Sequence, residues 1–111
     1  MCGIAGVMDL RGDRRIDAEV LRKMTNVLTH RGPDSEGYFI DENVALGFRR
    51  LSIIDLESGD QPLYNEDQFA VIVCNGEIYN YRQLRSEAMA RGHVFQTESD
   101  VETLVHLYED E

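Results

Sequence analysis

The sequence predicts an α+β domain, and three observations predict it. Apolar runs of strand length alternate with stretches of helical periodicity in a mixed order, without the regular strand–helix alternation of a doubly wound sheet. A hairpin-length turn, Asp41-Glu42-Asn43, separates two of the strand-like runs and calls for antiparallel pairing. The chain has 111 residues, 42% of them hydrophobic, which suits one domain with a real core and argues against disorder.

The first element is the apolar, glycine-punctuated run Cys2-Gly3-Ile4-Ala5-Gly6-Val7-Met8, which reads as a buried strand. Polar turn residues follow. Asp17 is a good N-cap for a helix whose apolar residues Val20, Leu21, Met24, Val27 and Leu28 share one face, and Arg31-Gly32-Pro33 stops it. Residues 37–40 and 44–48 form the predicted hairpin, with a further extended piece at 51–56 and a loop at 57–62. Residues 69–74 are continuously apolar and β-branched at Val71, Ile72 and Val73, which predicts a strand covered on both faces and ended by Asn75-Gly76. A second helix starts at Asn80, carries Tyr81, Leu84 and Ala88 on one side, and closes at Gly92. Ser99-x-x-Glu102 is a capping box opening a third, with Val101, Leu104, Val105 and Tyr108 at helical spacing. That helix runs to Tyr108-Glu109-Asp110-Glu111 with no stop signal and three carboxylates opposing its dipole, so the chain reads as the first part of something longer.

Lys plus Arg number 11 against 21 Asp plus Glu, a formal charge of −10. Such a chain lacks the electrostatic footprint for phosphate backbones or anionic lipid, so neither nucleic acid nor membrane is expected as a partner. No signal peptide is visible. Two cysteines, Cys2 and Cys74, are too few for a disulfide framework and fit a reducing cytoplasm. The histidines His30, His93 and His106 show no metal-ligand spacing, so no metal site is expected.

Four features could carry chemistry. Loss of the initiator Met would leave Cys2 with a thiol and a free α-amine on one residue. A thiol of pKa ~8.5 is only a few per cent thiolate near neutrality and needs a base; an α-amine of pKa ~7.7–8.0, fixed beside the sulfur, is one. From its position alone, Cys2 reads first as the opening residue of a buried strand. Asn75-Gly76-Glu77 ends an apolar strand, where the Asn75 amide and the Gly76 N–H could serve a developing oxyanion or simply form a tight turn. Arg49-Arg50 follows a strand and could hold a carboxylate bidentately, or be two surface arginines. Asp100 compensates a helix dipole and would bind an ammonium only if a cleft lay before it.

Six blocks in order carry a resemblance over essentially the whole chain. They are Met1-Cys2-Gly3-Ile4-Ala5-Gly6, His30-Arg31-Gly32-Pro33-Asp34, Arg50-Leu51-Ser52-Ile53-Ile54-Asp55, Gln61-Pro62-Leu63-Tyr64-Asn65, Asn75-Gly76-Glu77-Ile78-Tyr79-Asn80 and Ser99-Asp100-Val101-Glu102. The sequence resembles the class II glutamine amidotransferase domain, an N-terminal-nucleophile hydrolase, in its asparagine-synthetase form. The resemblance implies an αββα sandwich that is incomplete here, residues 1–111 being the N-terminal portion of the glutaminase domain. It implies that Cys2 attacks the side-chain amide of glutamine, forms a γ-glutamyl thioester and releases ammonia, with Asn75 and Gly76 at the oxyanion. Arg50 would hold the glutamine α-carboxylate, with Leu51, Ile53 and Ile54 beside it, and Glu77 and Asp100 would face the α-amino group. No cofactor is implied in this domain. ATP and Mg are implied for a C-terminal synthetase domain, the partner that would spend the ammonia on a carboxylate, usually aspartate. Cys74 before Asn75 is unusual; it is either a small buried apolar residue or a thiol close enough to Cys2 to form an inhibitory disulfide.

Two other readings stay open. A truncated fragment could be a non-catalytic binding module whose exposed strand faces favour self-association, so a homodimer is among the expected assemblies. A redox role for Cys2 and Cys74 lacks any Cys-x-x-Cys support.

Overall fold

The computed structural model describes residues 2–12, 15–51 and 60–111. Its described elements make an α+β fold, in which three helices accompany two antiparallel sheets. The expected extended piece at 51–56 falls, beyond Leu51, outside the described residues.

Strand β1 (Gly3–Met8) pairs antiparallel with β3 (Val44–Arg50), and β3 with β2 (Ser35–Ile40), giving the order β1-β3-β2. The hairpin turn is where the sequence predicts it, closed by the Asp41 N–H donating to the Val44 carbonyl at 2.8 Å. Helix α1 (Ala18–Asn26) begins as expected at Asp17, whose carboxylate accepts the Glu19 N–H at 2.9 Å. That bond satisfies one of the helix's orphan donors.

Helix α1 lies on one face of this sheet, and small residues on the strands let it approach. Thr25 sits directly over Gly47, where any Cβ would collide with its hydroxyl, and Leu28 packs over Gly3. The buried stripe of α1 is therefore Leu21 and Thr25, whereas Val20 and Val27, expected inward, are 50% and 71% exposed. The reason is geometric: contact with a narrow three-stranded sheet takes a narrower stripe than the five apolar residues provide.

The opposite face carries Ile4, Leu46, Phe48 and Phe39. A second, two-stranded sheet of β4 (Leu63–Tyr64) and β5 (Val71–Ile72) covers part of it, with Phe39 and Tyr64 meeting edge-to-face at 6.3 Å. At Gly37 a Cβ would run into the Gln61 backbone carbonyl, so only glycine admits this approach. The long strand predicted at 69–74 is shorter than expected. Only Val71 and Ile72 pair, both half-buried, and Phe69 is 92% exposed. Ile4 and Met8 stay exposed, beyond the cover that β4 and β5 provide.

Helices α2 (Tyr81–Ala90) and α3 (Glu102–Glu109) pack on each other, and α3 also packs on β4 and β5. Helix α2 starts after Asn80, as predicted, without a side-chain capping bond, and ends before Gly92 at φ +102°, a conformation that favours glycine. The capping box expected at Ser99 does not form. The carboxylate of Glu102 turns away to accept the backbone N–H groups of Gln96 and Thr97 and the Thr97 hydroxyl, and it contacts His106. Four partners around a fully buried carboxylate outweigh a single capping bond, and the helix begins three residues later than Ser99.

Candidate active site

Strands β1 and β3 bring the start of the chain to the arginine pair. Gly3 stands opposite Arg49, so the next step of the register sets Cys2 opposite Arg50. Strand alternation then sends Cys2 and Arg50 to one face and Arg49 to the other. On the helix side Arg49 has a structural role. Its Nε donates to the Gly32 carbonyl at 2.8 Å, and it pairs with Glu36 at 2.8 Å. Gly32 lies so close to the Arg49–Arg50 peptide that a Cβ would strike backbone. Arg31 reaches back to the Cys2 carbonyl at 3.1 Å. The His30-Arg31-Gly32-Pro33 block therefore clamps the strand ends that carry Cys2 and Arg50, while His30 itself is exposed and contacts only the Val27 carbonyl among its described bonds.

Beside Cys2, the Leu51 backbone N–H donates to Sγ at 3.4 Å. The Arg50 side chain is only 8% exposed and pairs with Asp60 at 3.0 Å; the Ser35 hydroxyl donates to the same Asp60 oxygen at 2.9 Å. That pair fixes the guanidinium in the wall.

The second wall comes from β5 and the loop after it. Gln61 grips Cys74 with both ends of its side-chain amide: Oε1 accepts the Cys74 N–H at 2.6 Å and Nε2 donates to the Cys74 carbonyl at 3.1 Å. Among the described residues it takes the place of a strand neighbour at Cys74, and it sets the course of the backbone into Asn75-Gly76. The Gln61–Pro62 peptide is cis. The third wall is the approach to α3, where Asp100 accepts the Ile78 N–H at 2.7 Å through Oδ2 and ties the two loops together.

These walls enclose one cleft of about 730 Å³, lined by Cys2, Arg50, Leu51, Asn75, Gly76, Glu77 and Asp100 among others. Every described residue that the resemblance assigned to the site reaches this cleft, while Arg49, the other candidate of the arginine pair, does not; Ile53 and Ile54 lie outside the described residues. Its charge is divided, with the Arg50 cation from β3 and the carboxylates Glu77, Glu98 and Asp100 from the other walls. Such an arrangement suits a small zwitterion. Cys74 lines the cleft with Cys2, and both are free thiols. Burial, and then the charges of Asp100 and Cys2, push the Cys74 thiol above its ordinary value, which keeps it protonated and a poor nucleophile.

Sequence reasoning did not assign Gln61 its bracing role, although it stands in one of the quoted blocks; its signal is only the partner it finds after folding. The expectation of no metal-ligand set rested on spacing along the chain. Folding brings Glu66, His93, His106 and Glu109 together, with one candidate ligand atom from each lying within 4.8 Å of all the others.

Known proteins resemble this chain along its whole length. A family described as a glutamine amidotransferase domain matches residues 1–111. The chain is 50% identical over 110 residues to asparagine synthetase [glutamine-hydrolyzing] 1 of Bacillus subtilis (strain 168), covering 97% of this chain and 17% of that protein. Against asparagine synthetase [glutamine-hydrolyzing] 2 of the same organism it is 47% identical, over 99% of this chain and 15% of that protein. Against the asparagine synthetase [glutamine-hydrolyzing] of Zea mays it is 44% identical, over 99% and 18%. The chain thus spans less than a fifth of the length of these relatives. With residues 1–111 matched, the chain belongs to the glutamine amidotransferase domain family.

Proposed function

We propose that the cleft is a glutaminase site in which Cys2 is the nucleophile, and that it feeds ammonia to the synthetase part of a longer enzyme. The observation that supports this best is the convergence of Cys2, Arg50, Asn75, Gly76 and Asp100, far apart in sequence, on one cleft. With Met1 removed, the α-amine of Cys2 takes the thiol proton and the sulfur attacks the side-chain carbonyl carbon of glutamine. Negative charge on the carbonyl oxygen falls to the Asn75 amide and the Gly76 N–H. The tetrahedral intermediate collapses, the C–N bond breaks, and the α-amine returns its proton to the departing ammonia. Water then cleaves the thioester to glutamate and restores Cys2.

Arg50 supplies the cation for the α-carboxylate, and Asp100 and Glu77 the anions for the α-ammonium. Each charge-assisted contact is worth about 1.5–3 kcal/mol. In this reading the exposed Ile4 and Met8 face of the sheet takes the second sheet of an αββα sandwich, and ATP and Mg serve the synthetase part, which amidates a carboxylate such as aspartate. In the binding-module reading the same face is where a second copy of the chain would seat. A cytoplasmic setting fits the two free thiols.

Steady-state kinetics of an Arg50→Ala variant test the ligand assignment. Loss of a contact to the non-reacting carboxylate removes mostly uniform binding, so the KM for glutamine should rise about tenfold or more while kcat changes little. An unchanged KM would move the carboxylate site away from Arg50.

A further inference from the structure

A polar cluster away from the glutamine cleft has the makings of a metal centre. It joins three parts of the fold: Glu66 in the turn between β4 and β5, His93 in the link between α2 and α3, and His106 and Glu109 on α3. Glu66 Oε1 lies 3.1 Å from His93 Nδ1 and 3.1 Å from His106 Nδ1, and Glu109 Oε2 lies 3.6 Å from His93 Nδ1. With metal–ligand bonds of about 2.0–2.1 Å, neighbouring ligands of tetrahedral zinc are about 3.3 Å apart. The observed separations bracket that edge. The Glu109 side chain, 36% exposed, has the rotamer freedom to close the wider gaps.

The outer contacts match what a metal-bound imidazole requires. His106 Nε2 lies 2.9 Å from the buried Glu102 carboxylate, and His93 Nε2 lies 2.8 Å from Asp110, which Arg91 holds in turn at 2.9 Å. A carboxylate on Nε2 favours the proton there, and in that tautomer Nδ1 offers its lone pair to an ion. Glu66 Oε1 also has its outer support, the Val94 N–H at 2.8 Å.

His106 supplies the independent sign. It is fully buried, and its Nδ1 has no hydrogen-bond partner among the described residues although Glu66 Oε1 stands 3.1 Å away. The contact has the distance of a hydrogen bond and lacks its direction. A buried imidazole nitrogen beside a carboxylate oxygen, with no proton aimed between them, is costly unless a cation sits off that line. A single imidazolium at His93, hydrogen-bonded through Nδ1 to Glu66 Oε1 at 3.1 Å and through Nε2 to Asp110, would still leave His106 Nδ1 without a partner, and a second imidazolium on a ring 5.1 Å away would repel the first. One divalent ion serves both nitrogens and both carboxylates.

We propose that Glu66, His93, His106 and Glu109 form a four-coordinate site for a divalent transition ion of the zinc class. Two imidazole nitrogens and two carboxylate oxygens make a borderline donor set, which suits Zn²⁺ better than Ca²⁺ or Mg²⁺. Its role is structural. The ion would fasten the β4–β5 turn and the α2–α3 link to the C-terminal half of α3, while the approach to the same helix carries Asp100 into the glutamine cleft.

The test is metal binding by the purified protein, stripped with a chelator and reloaded with zinc chloride or cobalt chloride. One ion per chain is expected, with the intense visible absorption of tetrahedral Co²⁺ and a melting temperature that falls on stripping and recovers on reloading. His93→Gln and the more exposed Glu109→Gln should each weaken zinc binding, His93→Gln by about 100-fold or more, since even outer-shell losses cost about 10–100-fold. A Cys2→Ser, Cys74→Ser double variant should keep the ion. Binding of no ion, a weak octahedral cobalt spectrum, full retention in His93→Gln, or loss with the cysteines alone would each overturn the site.

Discussion

Cys2→Ala is expected to abolish glutamine hydrolysis in the full-length enzyme while ammonia-dependent synthesis continues. In the proposed mechanism one residue supplies both the nucleophile and, through its α-amine, the base, so no neighbour can replace it. Losses on the order of 10⁶-fold in kcat follow removal of a nucleophile that works as part of a unit. Cys74 lines the same cleft, yet its burial and the nearby charges of Asp100 and Cys2 raise its pKa, so it is not a substitute. Parallel assays with glutamine and with ammonium as nitrogen source separate the two activities. Glutamine-dependent turnover that survives in Cys2→Ala would remove the assignment. Loss of both activities would mean that the variant damages the fold, and Cys2→Ser would then decide, because it keeps the size of the side chain.

Asn75→Ala should act at a different step. An oxyanion donor works mainly once negative charge has developed on the attacked oxygen, so its loss falls on kcat. Removing one such donor costs about 10²–10³-fold, or about 2.7–4 kcal/mol. Glutamine binding, measured in a Cys2→Ala, Asn75→Ala double variant that cannot turn over, should match that of Cys2→Ala alone. Gly76 retains its N–H, so residual activity is expected. A kcat within about threefold of the parent value, under half of one tenfold step in rate, would make Asn75 a turn residue.

The contrast between Asn75 and Arg50 shows what the sequence could and could not reveal. Where local rules govern, it read well: Asp17 caps α1, Asp41-Glu42-Asn43 turns the hairpin, and Gly92 follows α2. Strand alternation alone separates Arg49 from Arg50, and the pairing with β1 shows which of them shares a face with Cys2. Reading failed where a distant partner outbids a local one. Ser99-x-x-Glu102 has the letters of a capping box, but Glu102 is captured by the 96–97 backbone and by His106. The apolar run at 69–74 has the composition of a central strand, but among the described residues only β4 pairs with it. Gln61 takes over the next stretch by gripping Cys74 with a side chain, which no periodicity reveals. The cluster around His106 is invisible for the same reason, since its members come from three separate parts of the fold.

The proposed chemistry stands or falls on Cys2 being the N-terminal residue and carrying the glutamyl group. Mass spectrometry of the protein quenched in acid during turnover of glutamine, followed by peptide mapping, reads both at once. The expected N-terminal peptide begins at Cys2, without Met1, and a fraction of it carries one glutamyl group on the sulfur that disappears once glutamine is exhausted. An enzyme that turns over glutamine with Met1 still attached, or with the glutamyl group on Cys74 instead, would contradict this mechanism.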